Sequence, residues 1–241
     1  VVGDSSHKMH KVRAIQLFPR GFMYFITRYL YKFFVAPYRG VEVVGQENIP
    51  SSHFLLVANH VRDDDAYLLI TILPWYRTIR WLADYERLRI GTRTRQFYDK
   101  PQFFSFIGKS GLAGSVRLIV SFVASVVSVY SVRLSLVIQV DRKRKDKQMN
   151  LHATRLAVNT LNAGGIVGIF PEGGVQHKHN LSETNSLGIA RLAKTPILPV
   201  KIIAGAGINK VIIGAVISAE DVCIMGNRID AIVMGIVESL S

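Results

Sequence analysis

From Gly40 onward, apolar runs suited to buried strands alternate with stretches whose apolar positions recur at helical spacing. Val41–Val44, His53–Ala58, Thr78–Leu82, Leu134–Val140, Gly165–Ile169, Ile197–Ile203 and Lys210–Val216 read as strands. Asp64–Leu73, Asn150–Ala163 and Glu183–Lys194 read as helices. Asn150 is placed to cap the second helix and Gly164 to end it, with Leu151, Thr154, Val158 and Leu161 as its inward stripe. This alternation predicts an α/β domain over residues 40–241, a mixed sheet flanked by helices.

Residues 1–39 follow a different pattern. Phe18–Ala36 forms a helical stretch with Pro19 in its first turn and Pro37 as its stop. Arg20, Thr27, Arg28 and Lys32 fall near one face, and Phe22, Phe25, Ile26, Tyr29, Phe33 and Phe34 cover much of the rest. Aromatics flanked by arginine suit the headgroup boundary of a bilayer, so the segment is expected to be an amphipathic, membrane-associated helix. The alternative is a helix packed on the domain. A second apolar stretch, Leu118–Val132, is uncharged but has 15 residues, short of the roughly 20 needed to span hydrocarbon. Its serines at 121, 125, 128 and 131 recur at helical spacing opposite a Val/Ile-rich surface, which predicts a buried or membrane-dipping helix.

Charge narrows the partners. The formal net charge is +13, and residues 1–40 carry seven basic residues against Asp4 alone. A basic excess fits nucleic acid, an anionic membrane surface or phosphorylated substrates. The aromatic content of the basic segment favours membrane lipids, and the chain lacks an RNP-like, zinc-finger or helix-turn-helix pattern, so nucleic acid is not an expected partner. The single cysteine, Cys223, excludes an internal disulfide and suits a reducing compartment, cytoplasmic or organellar. Its apolar neighbours Val222, Ile224 and Met225 predict a buried thiol.

Two polar strings at strand ends carry the candidate chemistry. Asn59-His60-Val61-Arg62-Asp63-Asp64-Asp65 follows the second strand, and Phe170-Pro171-Glu172-Gly173-Gly174 follows the fifth. In the first, a histidine stands five residues before a carboxylate, close enough for a short turn to aim one at the other. Such a pair makes a general base, because the carboxylate fixes the imidazole tautomer and stabilises its charged form. Alternatively, the acidic run caps the next helix. His60 with three aspartates lacks a second ligand group, and no phosphate loop or dinucleotide fingerprint follows a strand. No metal or bound cofactor is therefore expected.

Together these strings resemble the glycerolipid acyltransferases of the lysophosphatidic acid acyltransferase type. That family carries an N-H-x4-D block, a basic block near a strand end, an F-P-E-G block and an apolar stretch with a central proline. His60 and Asp65 match the first, Asp141-Arg142-Lys143-Arg144 the second, Phe170–Gly173 the third and Pro196-Ile197-Leu198-Pro199-Val200 the fourth, in order. Where the family continues F-P-E-G with threonine and arginine, this chain has Gly174 and Val175.

The resemblance implies a glycerol-3-phosphate acyltransferase-like fold. It implies transfer of a fatty acyl group from a thioester, acyl-CoA or acyl-ACP as co-substrate, to a lysophospholipid, foremost 1-acylglycerol-3-phosphate. His60 and Asp65 would be catalytic. Arg142 and Arg144 would hold the acceptor phosphate, Glu172 would bind the acceptor or brace the turn, and Gly173 would let backbone approach the substrate. The rival expectation is a non-catalytic lipid-binding or structural subunit of a membrane assembly, motivated by the changed residues after Gly173.

Overall fold

A computed structural model of the chain describes residues 28–29, 40–62, 65–74, 76–84, 95, 118–119, 121–122, 137–141, 146–171, 187–205 and 209–241. The chain divides into two compact units. One comprises Val1–Ile26 with Ala83–Val137, the other Thr27–Leu82 with Ile138–Ser241. The candidate chemistry described below lies in the second.

Seven strands form one sheet among the described residues: β1 (Val41–Val44), β2 (Phe54–Ala58), β3 (Ile79–Asp84), β4 (Ile138–Val140), β5 (Ile166–Ile169), β6 (Ile197–Ala204) and β7 (Asn209–Ile213). Their order is β1-β7-β6-β2-β5-β3-β4. β6, β2, β5 and β3 run parallel, whereas β7 is antiparallel to β6 and carries β1 parallel to itself. The sheet is mixed, as expected. β2 is central, and all five of its residues are fully buried. A strand covered on both faces must be apolar at every position, which explains the unbroken Phe-Leu-Leu-Val-Ala run.

The described residues hold these helices in chain order: α1 (Asp65–Ile72), α2 (Lys147–Asn162), α3 (Gly188–Ala193), α4 (Ala219–Met225) and α5 (Ile229–Ser239). Leu55, Val57, Val167, Ile169 and Ile197 of the sheet form one core with Ala153, Ala157 and Leu161 of α2 and with Ile229, Val233 and Val237 of α5. Strand alternation sends Leu56, Gly168 and Trp81 to the opposite face. There, Gly168 leaves room for a large ring. A Cβ at that position would lie 2.6 Å from Trp81 Cε3 and Cζ3.

The helix boundaries differ from the sequence reading in instructive ways. α2 begins before Asn150, because Asp146 is its N-cap and accepts a hydrogen bond from Met149 N at 2.9 Å. Asn150 instead ties the helix to the end of β4. Its Nδ2 donates to Asp141 O (2.7 Å) and its Oδ1 accepts from Asp141 N (2.8 Å). The buried stripe of α2 is Ala153, Ala157 and Leu161, and Leu151 is exposed, so the predicted inward face was rotated from the true one. Small alanines let the helix lie close to the sheet, whereas a reading weighted toward large apolar residues favours leucine. Gly164 does follow the helix end in the left-handed region, at φ 84°. β7 stops at Ile213, short of the expected Val216.

α4 and α5 were not foreseen, and α4 overturns the reading of Cys223. Val222 is buried but Cys223 is exposed and Ile224 is 82% exposed. Successive helical positions step by about 100°, so a short helix that points Val222 inward turns the next two residues to solvent. The signal for α4 was present in Ser218, whose Oγ accepts from Asp221 N at 3.1 Å, the start of a capping pattern.

Of the expected Phe18–Ala36 helix, Arg28 and Tyr29 are described, both helical. Arg28 is 8% exposed and donates to Leu73 O (2.5 Å) and Pro74 O (3.0 Å), just past the end of α1. A cation there meets the orphan carbonyls and the negative end of the helix dipole. Arg28 is thus withdrawn from the lipid-facing role that its helical position suggested. The expected strand residues 134–136 and helix residues 183–186 lie outside the described residues. So does most of Leu118–Val132, where Ser121 is buried and Leu118, Ile119 and Phe122 are exposed. Among the described residues, no helix is long and apolar enough to cross a membrane.

The close fit at Gly168 yields a prediction. Gly168→Ala would drive a methyl into the Trp81 ring and the Ile79 side chain, and overpacking of this kind costs about 1–3 kcal/mol. Chemical denaturation should show a lower midpoint with an unchanged slope, whereas unaltered stability would mean that the indole moves aside freely.

Candidate active site

Parallel neighbours end at the same edge of a sheet. β2 and β5 pair in register with Val57 opposite Ile169, so the chain leaves both strands side by side. His60 comes three residues after Val57 and Phe170 one after Ile169. The two polar strings, far apart in sequence, meet there as stacked rings. The centroids of His60 and Phe170 lie 4.4 Å apart with planes inclined by 20°. Phe170 also stacks with Trp81 of β3, at 4.9 Å and 5°. Ligands of open α/β sheets commonly bind just outside such carboxyl ends.

The loop that carries His60 is held at both sides. Asn59 Nδ2 donates to Ile202 O at 2.9 Å, and Asn59 Oδ1 accepts from Ile202 N at 2.6 Å. The amide thus bonds both polar groups of one β6 residue, extending the β2–β6 ladder one step beyond the last paired backbone positions. Sequence reading passed over Asn59, although an asparagine directly after a buried strand offers a donor and an acceptor on one short side chain. Arg62 reaches the far end of β6, donating from Nη2 to Gly205 O at 3.3 Å.

Asp65 opens α1 and turns its carboxylate back into the loop. Its Oδ2 lies 3.0 Å from His60 Nδ1 and accepts from Val61 N at 2.6 Å and Arg62 N at 2.7 Å. The carboxylate thus satisfies two N–H groups of the preceding loop and also grips the imidazole, bringing together the pair that the five-residue spacing suggested. Asp65 is 2% exposed and the His60 side chain 11%, so water competes weakly for the contact. A carboxylate only accepts, so a neutral His60 ring facing Asp65 donates from Nδ1. Asp63 and Asp64 lie outside the described residues.

Trp81 Nε1 is buried without a hydrogen-bond partner among the described residues. An unmet donor of this kind costs about 1–3 kcal/mol, so what the indole contributes here is its flat face. The basic block is described only at its borders. Asp141 follows β4 and accepts from Asp146 N at 2.8 Å. Arg142, Arg144, Glu172 and Gly173 themselves lie outside the described residues. Among the described residues, no group of three or more His, Cys, Asp or Glu side chains could hold a metal ion.

Comparison with known proteins adds two findings. The Acyltransferase family model matches residues 113–203, a span that runs through β4, α2, β5 and α3 into β6. The crystal structure of the 1-acyl-sn-glycerophosphate (LPA) acyltransferase PlsC from Thermotoga maritima is similar in fold, with a TM-score of 0.59 at 20% identity, over 91% of this chain and 78% of that one. No curated protein matches the chain in sequence. The family match over residues 113–203 and the PlsC-like α/β fold both support an acyltransferase.

Proposed function

We propose that this acyltransferase moves a fatty acyl group from an acyl thioester, carried on coenzyme A or acyl carrier protein, to 1-acylglycerol-3-phosphate. The observation that carries this reading is the 3.0 Å contact of His60 Nδ1 with the buried carboxylate of Asp65, beside Phe170 at the start of F-P-E-G. The acceptor hydroxyl gives its proton to His60 Nε2 as its oxygen attacks the thioester carbonyl. The tetrahedral intermediate then collapses, the C–S bond breaks, and the imidazolium returns the proton to the departing thiolate. The products are an ester and a free thiol.

A positioned base contributes typically 10²–10⁴-fold, so positioning of both substrates and stabilisation of the oxyanion supply the rest. In this reading Arg142 and Arg144 hold the acceptor phosphate, since guanidinium matches phosphate oxygens bidentately. Glu172 and Gly173 border the acceptor. The basic, aromatic segment 1–39 rests the enzyme on membrane lipids, with its site facing a reducing compartment. Arg28 serves α1, which leaves Arg20 and Lys32 as the headgroup contacts.

His60→Ala is expected to abolish transfer from acyl thioesters to lysophosphatidic acid while the protein stays folded. Asp65→Asn should lower activity, because a neutral amide oxygen in the Oδ2 position stabilises the imidazolium less than a carboxylate does. Steady-state turnover with purified protein decides this, and full activity in His60→Ala would end the general-base assignment. If the wild type binds lysophospholipid without turnover, the non-catalytic lipid-binding reading replaces this one.

Arg142→Gln or Arg144→Gln should raise the acceptor KM and leave the donor KM nearly unchanged. Loss of one charge-assisted bond to phosphate amounts to roughly 1.5–3 kcal/mol, or about 10–150-fold in kcat/KM. Unchanged acceptor kinetics in both variants would reassign phosphate recognition.

Membrane attachment is best tested by substitution, because deleting the segment would also remove Arg28 from the end of α1. Arg20→Gln with Lys32→Gln should weaken binding to phosphatidylglycerol vesicles by about 1 kcal/mol per charge, with less effect on neutral vesicles. Equal flotation of the variant and wild type with anionic vesicles would argue against this anchor.

A further inference from the structure

The rings behind His60 take no part in the hydrogen bonding of the site, and Trp81 belongs to none of the four sequence blocks. We propose that Trp81 is a positioning residue for acyl transfer, acting through Phe170 to hold the plane of the His60 imidazole. The inference rests on His60 being the base.

Asp65 meets His60 at Nδ1. The plane of the imidazole decides where Nε2 points, and a tilt sweeps Nε2 across the space where an acceptor hydroxyl must lie. Phe170 sets a flat surface against that plane, 4.4 Å from the imidazole and inclined by 20°. Phe170, however, is the first residue beyond β5, where the backbone ladder has ended. Its own orientation needs support.

Trp81 provides that support from inside the sheet. β3 pairs parallel with β5, and Trp81 stands opposite Gly168, two residues before Phe170 on the same face. The missing side chain at Gly168 lets the indole lie against β5, where a Cβ would come within 2.6 Å of it. From there the indole meets Phe170 at 4.9 Å and 5°, nearly parallel stacking. The chain of support runs from a strand residue of fixed position, through a ring at the strand end, to the imidazole in the loop. Because Trp81 Nε1 has no hydrogen-bond partner among the described residues, the aromatic face accounts for this residue better than its polar atom does. A phenylalanine should therefore serve in its place.

The test uses the full chain in detergent micelles, labelled with [13Cε1]-histidine, with His60 assigned by comparison with His60→Gln. The chain has seven histidines, and the others report on the fold. In the wild type, the His60 Cε1 proton should carry a ring-current displacement from Phe170. Trp81→Met, apolar but not aromatic, should shift that resonance toward a free imidazole while the remaining histidines keep theirs. Its kcat for lysophosphatidic acid should fall about 10–100-fold, the scale of a small misplacement at a reacting centre, with both KM values little changed. Trp81→Phe should restore the resonance and most of kcat.

An unchanged His60 resonance and kcat in Trp81→Met would overturn the proposal. So would equal losses in the methionine and phenylalanine variants, which would mean that volume alone matters. If Trp81→Met collapses all the histidine resonances together, Phe170→Met tests the same stack, and an unshifted His60 there overturns the proposal. A wild type without transferase activity would fail the functional reading instead, and the resonance would still judge the stack.

Discussion

The parallel pairing of β2 with β5 on one side and β6 on the other is the constraint on which the rest depends. It joins segments more than a hundred residues apart, so closing the intervening chain costs entropy before any contact is gained. The compensation is complete burial of β2 between two layers, with five apolar side chains removed from water. Because the three strands point the same way, their carboxyl ends share one edge, where each contributes to the candidate site. β2 delivers Asn59 and His60, β5 delivers Phe170, and β6 offers Ile202 to the Asn59 clamp.

That clamp explains the side chains in physical terms. An aspartate at position 59 could accept from Ile202 N but could not donate to Ile202 O, so an amide is required to meet both groups. At position 65, Oδ2 is shared by two backbone N–H groups and the His60 ring. Removing either residue would leave buried polar groups unmet as well as loosening the imidazole. In the proposed mechanism, function and local stability therefore share the same atoms.

The other face of the sheet is tied to the site through β6. Lys201, next to Ile202, donates from Nζ to Glu238 O and Leu240 O at 2.6 Å each, at the carboxyl end of α5. α5 in turn buries Asp230, whose Oδ1 accepts from Leu187 N at 2.9 Å ahead of α3. The C-terminal helices thus brace the strand that the Asn59 clamp grips. Ile229, Val233 and Val237 recur every fourth residue, so the α5 stripe was visible in the sequence. Gly235 within the helix weakens that signal.

The sequence by itself determined most strands, because a strand buried on both faces must be apolar throughout and bounded by polar turns. It also determined the pairing of His60 with Asp65, since five residues across one short turn leave few other partners. It misjudged what depends on neighbours. Leu151 and Cys223 are apolar or thiol side chains that face solvent, and Arg28 is a buried cation, because burial is decided by which face a neighbouring element covers. Asn59 and Trp81 were illegible for the same reason. The value of an amide after a strand depends on Ile202, and that of an indole on Gly168 and Phe170. Composition and periodicity act along the chain, whereas these contacts exist only once parallel strands have brought distant segments to one edge.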